Sequence, residues 1–526
     1  MLSQKNILKP ENILYLGLIL VAIGLPLSKF LMSVGQMIIF LSWILLGNYK
    51  QLLINYFNNT TAVAVSLLFL LHLVGLLYTS DFKYAINDIR VKMPLFLLPF
   101  VLSSFRPLTK NQFKWIFYIL SLSVILSTLI GLTRYLGLFG YEIIDKREIS
   151  VFISHIRFGL IMVVTIIALI YFYKTENRIF KIFIAIAIFW MCFFMLSMGF
   201  ITGLSVLFIF LGIYLLKKIF TKYKTPQWKT LLILFLLLAI PFGFMYITIT
   251  DYHKINMPKH TTLLTRTKGG EAYYQDLTGH HKNAIENGYL IYRNIAWKEL
   301  EESWNNRSQI KYNELDLSNQ QIKNTLLRFL TSKGLNKDAE GVASLSNGEI
   351  KAIENGMANV NYMHQSAIKT RLHQIVWEID NYLHSRDYNG HSIVMRWIYW
   401  KTGFKIVKEN FLLGVGTGDV QNEFQKMYEK ENSILKPEFR LRAHNQFITF
   451  AITFGVFGIL VFIAALFYPL YKLKLYNRFI YLGFFVVVVA SFITEDTLES
   501  QAGVTFYIFM HSILCWLYPA ELDDDF

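Results

Sequence analysis

Arg440, Arg442 and His444 stand directly before a long apolar run that opens near Phe447. Charge kept where a membrane helix meets water is costly, and such residues tend to be functional. A guanidinium is planar and forked, so it pairs with two phosphate oxygens at once. An imidazole takes or gives a proton near neutral pH. These residue types predict chemistry on an anionic, lipid-linked substrate at a membrane surface. Arg396, before Trp397 on a predicted amphipathic helix, joins the group through the run Gly414-Val415-Gly416-Thr417-Gly418-Asp419. That run has two readings: a backbone cradle for phosphate, or a turn after a helix with Gly414 as its cap. No strand precedes it and no P-loop lysine follows. The competing role for the arginines is anchoring to lipid headgroups. For His444 it is a capping or interfacial position.

Two other constellations carry chemistry-bearing side chains. Ser154-His155-Ile156-Arg157 opens a predicted span, where Arg157 either belongs to a site or snorkels to the interface. Thr494-Glu495-Asp496-Thr497-Leu498-Glu499 forms a turn between two spans. Its carboxylates suit orienting a histidine, acting as a base or binding a metal; the alternative is a solvated turn. Further candidates are therefore His155, Arg440, Glu495 and Glu499. His280, His281, His364, His373, His384 and His391 are expected on the surface. His72 and His511 are expected to hydrogen-bond to neighbouring helices.

The elements that must position these residues are membrane helices. The chain has 526 residues, 54% of them hydrophobic, and a mean hydropathy of +0.39, too apolar for a soluble protein of this size. Apolar runs predict about twelve spans, at 12–28, 31–47, 61–78, 93–104, 113–133, 155–173, 180–196, 200–216, 230–249, 446–468, 478–494 and 502–519. The first lacks a small-residue cleavage site after it and is expected as a retained helix. The expected fold class is an all-α polytopic membrane protein.

A net charge of +15 fits either nucleic acid or membrane topology; here loop charge explains it, and no nucleic-acid partner is expected. With the N-terminus inside, the inner loops carry most of the basic residues, including Lys217, Lys218, Lys222, Lys224 and Lys229. The outer loops are diluted by Asp81, Asp88, Glu142, Asp145 and Glu148. The positive-inside rule then places the polar segment 250–443 outside and the acidic tail Asp523-Asp524-Asp525 inside.

Three regions follow: spans one to nine at 1–249, a large outer helical domain at 250–443, and spans ten to twelve with the tail at 444–526. Within the domain, 286–330, 366–384 and 392–411 show helical spacing. Such faces either pack on one another or lie on the membrane surface. Cys192 and Cys515 fall in apolar runs and predict no disulfide. No Cys/His spacing suggests zinc and no Asp-x-Asp pair lies on an outer loop, so no metal and no cofactor are expected.

The stretch from Arg396 to Leu460 resembles the O-antigen ligase and O-antigen polymerase superfamily. The residues carrying this are Arg396-Trp397, Asn410 to Gly418, Arg442-Ala443-His444-Asn445-Gln446-Phe447 and Phe454-Gly455-Val456-Phe457-Gly458. The resemblance implies a C-type membrane glycosyltransferase of the bacterial inner membrane, multi-pass, with its active site facing the periplasm. It implies metal-independent transfer of polysaccharide from undecaprenyl diphosphate. It casts His444 and Arg396 as catalytic, with Arg396 and Arg157 on the diphosphate; spacing adds Arg442. The segment 391–444 corresponds to the family's catalytic part, and 253–385 is an insertion. A Ser-Arg pair common in the family is replaced here by Leu196-Ser197-Met198-Gly199-Phe200.

The leading expectation is an O-antigen ligase whose acceptor is the lipid A core in lipopolysaccharide biosynthesis. Donor, acceptor and surrounding membrane lipids are the expected partners. A polymerase, with a second glycan as acceptor, and a protein O-oligosaccharyltransferase share the same donor site; the insertion favours a ligase or protein transferase over a polymerase. A transporter or flippase is the reading from another class, but it would want internal repeats and charge at mid-membrane.

Overall fold

The structure, a computed structural model, describes residues 9–138, 149–222, 228–279, 282–318, 320–385, 389–390 and 392–522. Of the residues named above, Glu142, Asp145, Glu148, Lys224, His280, His281, His391 and Asp523 to Asp525 lie outside them. Among the described residues the protein is all-α apart from one antiparallel pair of two-residue strands.

Eight helices among the described residues are long and apolar enough to cross a membrane. In the first half these are α1 (Pro10–Leu27), α2 (Lys29–Leu46), then, after four shorter helices, the helices from Lys110 onward. The shorter elements depart from the predicted spans. α3 (Tyr49–Asn58) meets α4 (Thr60–Gly75) at 90°, so the predicted third span is one arm of a bent pair. α5 (Phe82–Lys92) runs into α6 (Pro94–Leu102), a nine-residue helix where 93–104 was expected to span. Pro94 has no N–H and interrupts the hydrogen-bond ladder there.

The long helices continue as α7 (Lys110–Tyr135), α8 (His155–Tyr173), α9 (Arg178–Met198), α10 (Ile201–Lys222) and α11 (Trp228–Ile255). Of the long helices α8 is the most enclosed and α11 the least. Close approach needs small residues in lipid, where packing replaces the hydrophobic drive between helices. In the α1–α2 hairpin a Cβ on Gly17 would lie 2.9 Å from the Gly35 carbonyl oxygen.

Next comes the domain outside these helices. Its pieces are β1 (Ile285–Glu286), β2 (Tyr289–Leu290), α12 (Trp297–Arg307), α13 (Ile322–Ser332), α14 (Ala339–Ala343), α15 (Asn347–Glu354) and α16 (Ala367–Ser385). The helical reading of 286–330 fails at its start. Leu290 lies in a hairpin strand, and Ile291 and Ile295 follow it outside any helix. Ile291 and Ile295 are still buried, so the periodicity recorded burial rather than a helix. The domain has its own core of Ile295, Leu300, Trp304, Leu326, Phe329 and Ile353, joined to the membrane helices through Tyr252 of α11 and Trp377 of α16. His373, expected on the surface, is 2% exposed and hydrogen-bonded to the Tyr362 hydroxyl at 3.1 Å. Burial, with Arg328 and Lys369 nearby, lowers its pKa to about 4.

α17 (Ser392–Glu409), α18 (Val420–Lys430), α19 (Gln446–Lys472), α20 (Phe479–Thr494) and α21 (Gln501–Cys515) complete the chain. α20 and α21 have 16 and 15 residues, shorter than the spans expected there. His511 on α21 faces the Tyr481 hydroxyl of α20 at 3.2 Å, as expected of a helix-bridging histidine. His72 instead bonds the Leu68 carbonyl of its own helix at 2.7 Å and faces Asp88 at 3.9 Å.

α19 is broken at Gly455, whose φ is +63°. The break frees backbone groups that must find partners inside a membrane protein, and the glycine-rich turn supplies them. Val415 N–H donates to the Ile452 carbonyl at 2.9 Å, Gly416 N–H to Thr453 at 3.0 Å, and Val456 N–H to Phe411 at 2.8 Å. The two glycine motifs of the sequence therefore form one joint.

Candidate functional site

That joint decides between the two readings of the 414–418 run. Gly414 N–H is bonded to Asn410, Thr417 N–H to Gly75, and Gly418 N–H to the Thr79 hydroxyl, while 415 and 416 are bonded to α19. No N–H of the run is left for phosphate, and it is a packing turn. Asp419 extends the same joint by accepting from Thr79, Ser80 and Asp81.

From this anchor the chain passes through α18 to the segment 439–445. Four side chains hold its carbonyls. Tyr399 and Trp400 of α17 donate to Phe439 and Ala443 at 2.7 and 2.9 Å. Gln425 and Tyr428 of α18 donate to Arg440 and Leu441 at 2.9 and 2.8 Å. The segment ends at His444 in left-handed backbone, φ +48°, a conformation that costs a non-glycine residue free energy and clusters at functional sites. Asp496 holds it there. His444 N–H donates to one carboxylate oxygen at 3.2 Å; Asn445 N–H and the Thr449 hydroxyl donate to the other at 2.9 and 2.7 Å. Asn445 then caps α19, accepting from Ile448 N–H at 3.1 Å.

The turn 495–499 gathers the cations. Arg396 Nη2 lies 2.9 Å from Glu495 Oε1, and His444 Nδ1 lies 3.8 Å from Glu495 Oε2. Arg157, at the start of α8, is within electrostatic reach of Glu495 and Asp496, and its Nε is buried with no hydrogen-bond partner among the described residues. Burial pushes the Glu495 pKa up, but its contacts with His444, Arg396 and Arg157 bring it below the ordinary value.

Glu499 organises a second, deeper group. Its Oε2 accepts from Lys92 at 2.9 Å and Arg442 at 3.3 Å, and its Oε1 from Gln446 at 3.2 Å. Arg442 also donates to the Tyr84 hydroxyl at 2.9 Å, while its Nε is buried without a partner among the described residues. Burial raises the Glu499 pKa, yet Lys92 and Arg442 hold the carboxyl far below the usual range; burial lowers that of Arg442, but Glu499 and Asp496 lift it above its ordinary value.

Arg157, Arg396, Arg442, His444, Glu495 and Glu499 thus meet around one turn. Arg440 turns away: its Nε donates to the Leu435 carbonyl at 3.0 Å, inside its own loop. His155 packs its ring on Phe200 at 6.2 Å. The Leu196 to Phe200 corner contributes no cation; a Cβ on Gly199 would meet Ala367 of α16.

Sequence reasoning missed Tyr84, Asp88 and Lys92. Asp88 was assigned to a short outer loop, yet it is 7% exposed on α5 and paired with Lys92, itself 1% exposed. The signal was present: two charges at i, i+4 directly before the apolar run at Pro94.

The fold and the site together define a multi-pass, all-α membrane protein with a partly buried arginine–histidine–carboxylate cluster at one end of its helices. Residues 349–463 match the family model described as O-antigen ligase. The match bears out the resemblance to the O-antigen ligase and polymerase superfamily, a group of membrane glycosyltransferase-like enzymes. It includes Arg396, Arg442 and His444, whereas Arg157, Glu495 and Glu499 lie outside the matched residues. No curated protein matches the chain.

Proposed function

We propose that this protein is an O-antigen ligase of the bacterial inner membrane. In this reading it moves polysaccharide from undecaprenyl diphosphate to the lipid A core on the periplasmic side. The observation that carries the proposal is the convergence of Arg157, Arg396, Arg442 and His444 on the 495–499 turn, with unpaired buried Nε donors on Arg157 and Arg442. Unpaired buried donors are costly, and a diphosphate oxygen is a matching acceptor.

The chemistry follows from the charges. An acceptor hydroxyl oxygen attacks the anomeric carbon from the face opposite the diphosphate, so the centre inverts. The carbon–oxygen bond to the diphosphate breaks, and its electrons stay on the leaving undecaprenyl diphosphate. Arginines fixed in place stabilise that growing charge, which is electrostatic preorganisation and needs no metal. The acceptor proton passes to His444 Nε2, the nitrogen that faces away from Glu495. Glu495 is a positioning residue, orienting the ring through Nδ1. Glu495 and Glu499 pair with the same arginines that would bind the donor diphosphate.

The arrangement favours transfer over transport. A transporter wants charge halfway along its helices, while the cations sit at the start of α8, early in α17 and just before α19, and their carboxylates follow the end of α20.

The test is a surface-glycan profile of cells lacking the gene, complemented with wild type or His444→Ala. Long polymer stranded on its carrier, with bare lipid A core, supports a ligase. A single repeat on the core would make it a polymerase. A normal lipopolysaccharide ladder would remove both readings. In parallel, wild-type turnover by purified His444→Ala would overturn the base assignment.

A further inference from the structure

The domain between α11 and α16 carries an open surface pocket of about 510 Å³ that the transfer chemistry does not use. This lies within the range of small-molecule sites, roughly 300–1,000 Å³. Trp297, Lys298 and Glu301 line it from α12, Tyr312 and Asn313 from the following loop, and Lys323 from the start of α13.

The lining has an unusual division of labour. α12 carries two tryptophans two turns apart. Trp304 is fully buried in the domain core, while Trp297 keeps 38% of its surface exposed. The Trp297 ring is backed by Tyr274, itself exposed, at 5.9 Å. An exposed indole supported from behind is a ready stacking platform. Around it the walls are polar and include no aliphatic side chain, which argues against a lipid tail. Asn313 Nδ2 donates to Glu301 Oε1 at 2.7 Å, presetting a donor–acceptor pair. Tyr312 is 4% exposed, and its hydroxyl is buried with no hydrogen-bond partner among the described residues. Such a group is costly to leave unpaired and calls for an explanation. Lys298 and Lys323 bring two cations to the pocket against the single carboxylate of Glu301.

One flat apolar face, a rim of donors and acceptors, and an excess of positive charge match a pyranose ring with an acidic substituent. Such a ring has an apolar C–H face for the indole and an edge of hydroxyls for Asn313, Glu301 and Tyr312. We propose that this pocket binds a short stretch of acidic glycan, stacked on Trp297 with its carboxylate or phosphate between Lys298 and Lys323. The inference stands apart from the ligase reading, because a glycan grip on this domain would serve a polymerase or a glycan transporter equally.

The test is calorimetric titration of the full chain in lipid nanodiscs with two probes, hyaluronan hexasaccharide and uncharged maltohexaose. The acidic probe is expected to bind and the neutral one to bind at least about tenfold more weakly, since two charge-assisted contacts are lost. Trp297→Ala is expected to weaken binding by about tenfold or more. Tyr312→Phe should weaken it severalfold without lowering the melting temperature, since the hydroxyl has no partner to lose. No binding of either probe, or unchanged binding by Trp297→Ala, overturns the site. Equal affinity for both probes overturns the role given to the lysines. Glycan transfer is not read in this experiment, so failure here and failure of the ligase reading are separate results.

Discussion

Glu495 is shared between Arg396 and His444: Arg396 Nη2 lies 2.9 Å from one carboxylate oxygen and His444 Nδ1 3.8 Å from the other. One side chain thus couples an arginine on α17 to a histidine in left-handed backbone ahead of α19. A histidine whose Nδ1 is oriented by a carboxylate presents Nε2 in a fixed direction, and such supporting contacts commonly contribute 10–100-fold to a site.

Glu495→Gln keeps the shape and removes the charge. It is expected to lower kcat by roughly 10–100-fold while KM for the acceptor changes little. Rescue by Glu495→Asp, which restores the carboxylate, separates this from a merely structural role. An unchanged kcat in Glu495→Gln would end the positioning assignment.

Glu499→Ala takes the shared carboxylate from Lys92 and Arg442, whose side chains are only 1% and 13% exposed, and leaves Lys92 with Asp88 alone. Removing one partner from a buried charge group costs about 3–5 kcal/mol. The variant should show a marked fall in melting temperature in detergent. Lys92→Met, which takes away the deeper cation while leaving Arg442 on Glu499, should lose less.

Gly455 and Gly414 sit at φ +63° and +72°, and an added Cβ would come within 2.3 Å of the Leu412 carbonyl oxygen and 2.4 Å of the Thr453 backbone, respectively. Gly455→Ala or Gly414→Ala should cost roughly 1–3 kcal/mol from backbone strain alone, with the clash in addition. Size-exclusion profiles and thermal melts of the two variants should show the same defect, because both open the same joint.

His373 gives a pH signature. Its folded pKa, about 4, lies below the ordinary histidine value of 6.5. The unfolded chain therefore binds the proton more readily between those values. Stability is complete above pH 6.5 and is lost as pH falls toward about 4, by on the order of 2–3 kcal/mol. Hydrogen exchange of α16 measured across that window should show increasing opening in wild type, with a shallower slope in His373→Gln.

Much of the fold was legible because lipid imposes a simple rule: a chain crossing it must be apolar for long enough and satisfy its own backbone. The runs around α1, α2, α7 to α11 and α19 obey that rule over their full length. The runs at 61–78 and 93–104 are equally apolar, but the first is bent against α3 and the second is interrupted at Pro94. Hydropathy does not record direction, so neither departure was visible. At 286–330 the burial pattern was real, but short buried strands and loops can imitate helical spacing.

By itself the sequence determined that arginines and a histidine border a membrane helix, and that carboxylates occupy the turn at 495–499. Their charge is expensive in that setting, and expense is visible residue by residue. Only the tertiary structure decided that Arg157, Arg396, Arg442 and His444 share that turn, that Arg440 does not, and that Asp88 and Lys92 are buried beside it. Pairing joins residues hundreds of positions apart, and which carboxylate neutralises which cation follows from helix packing rather than from spacing along the chain.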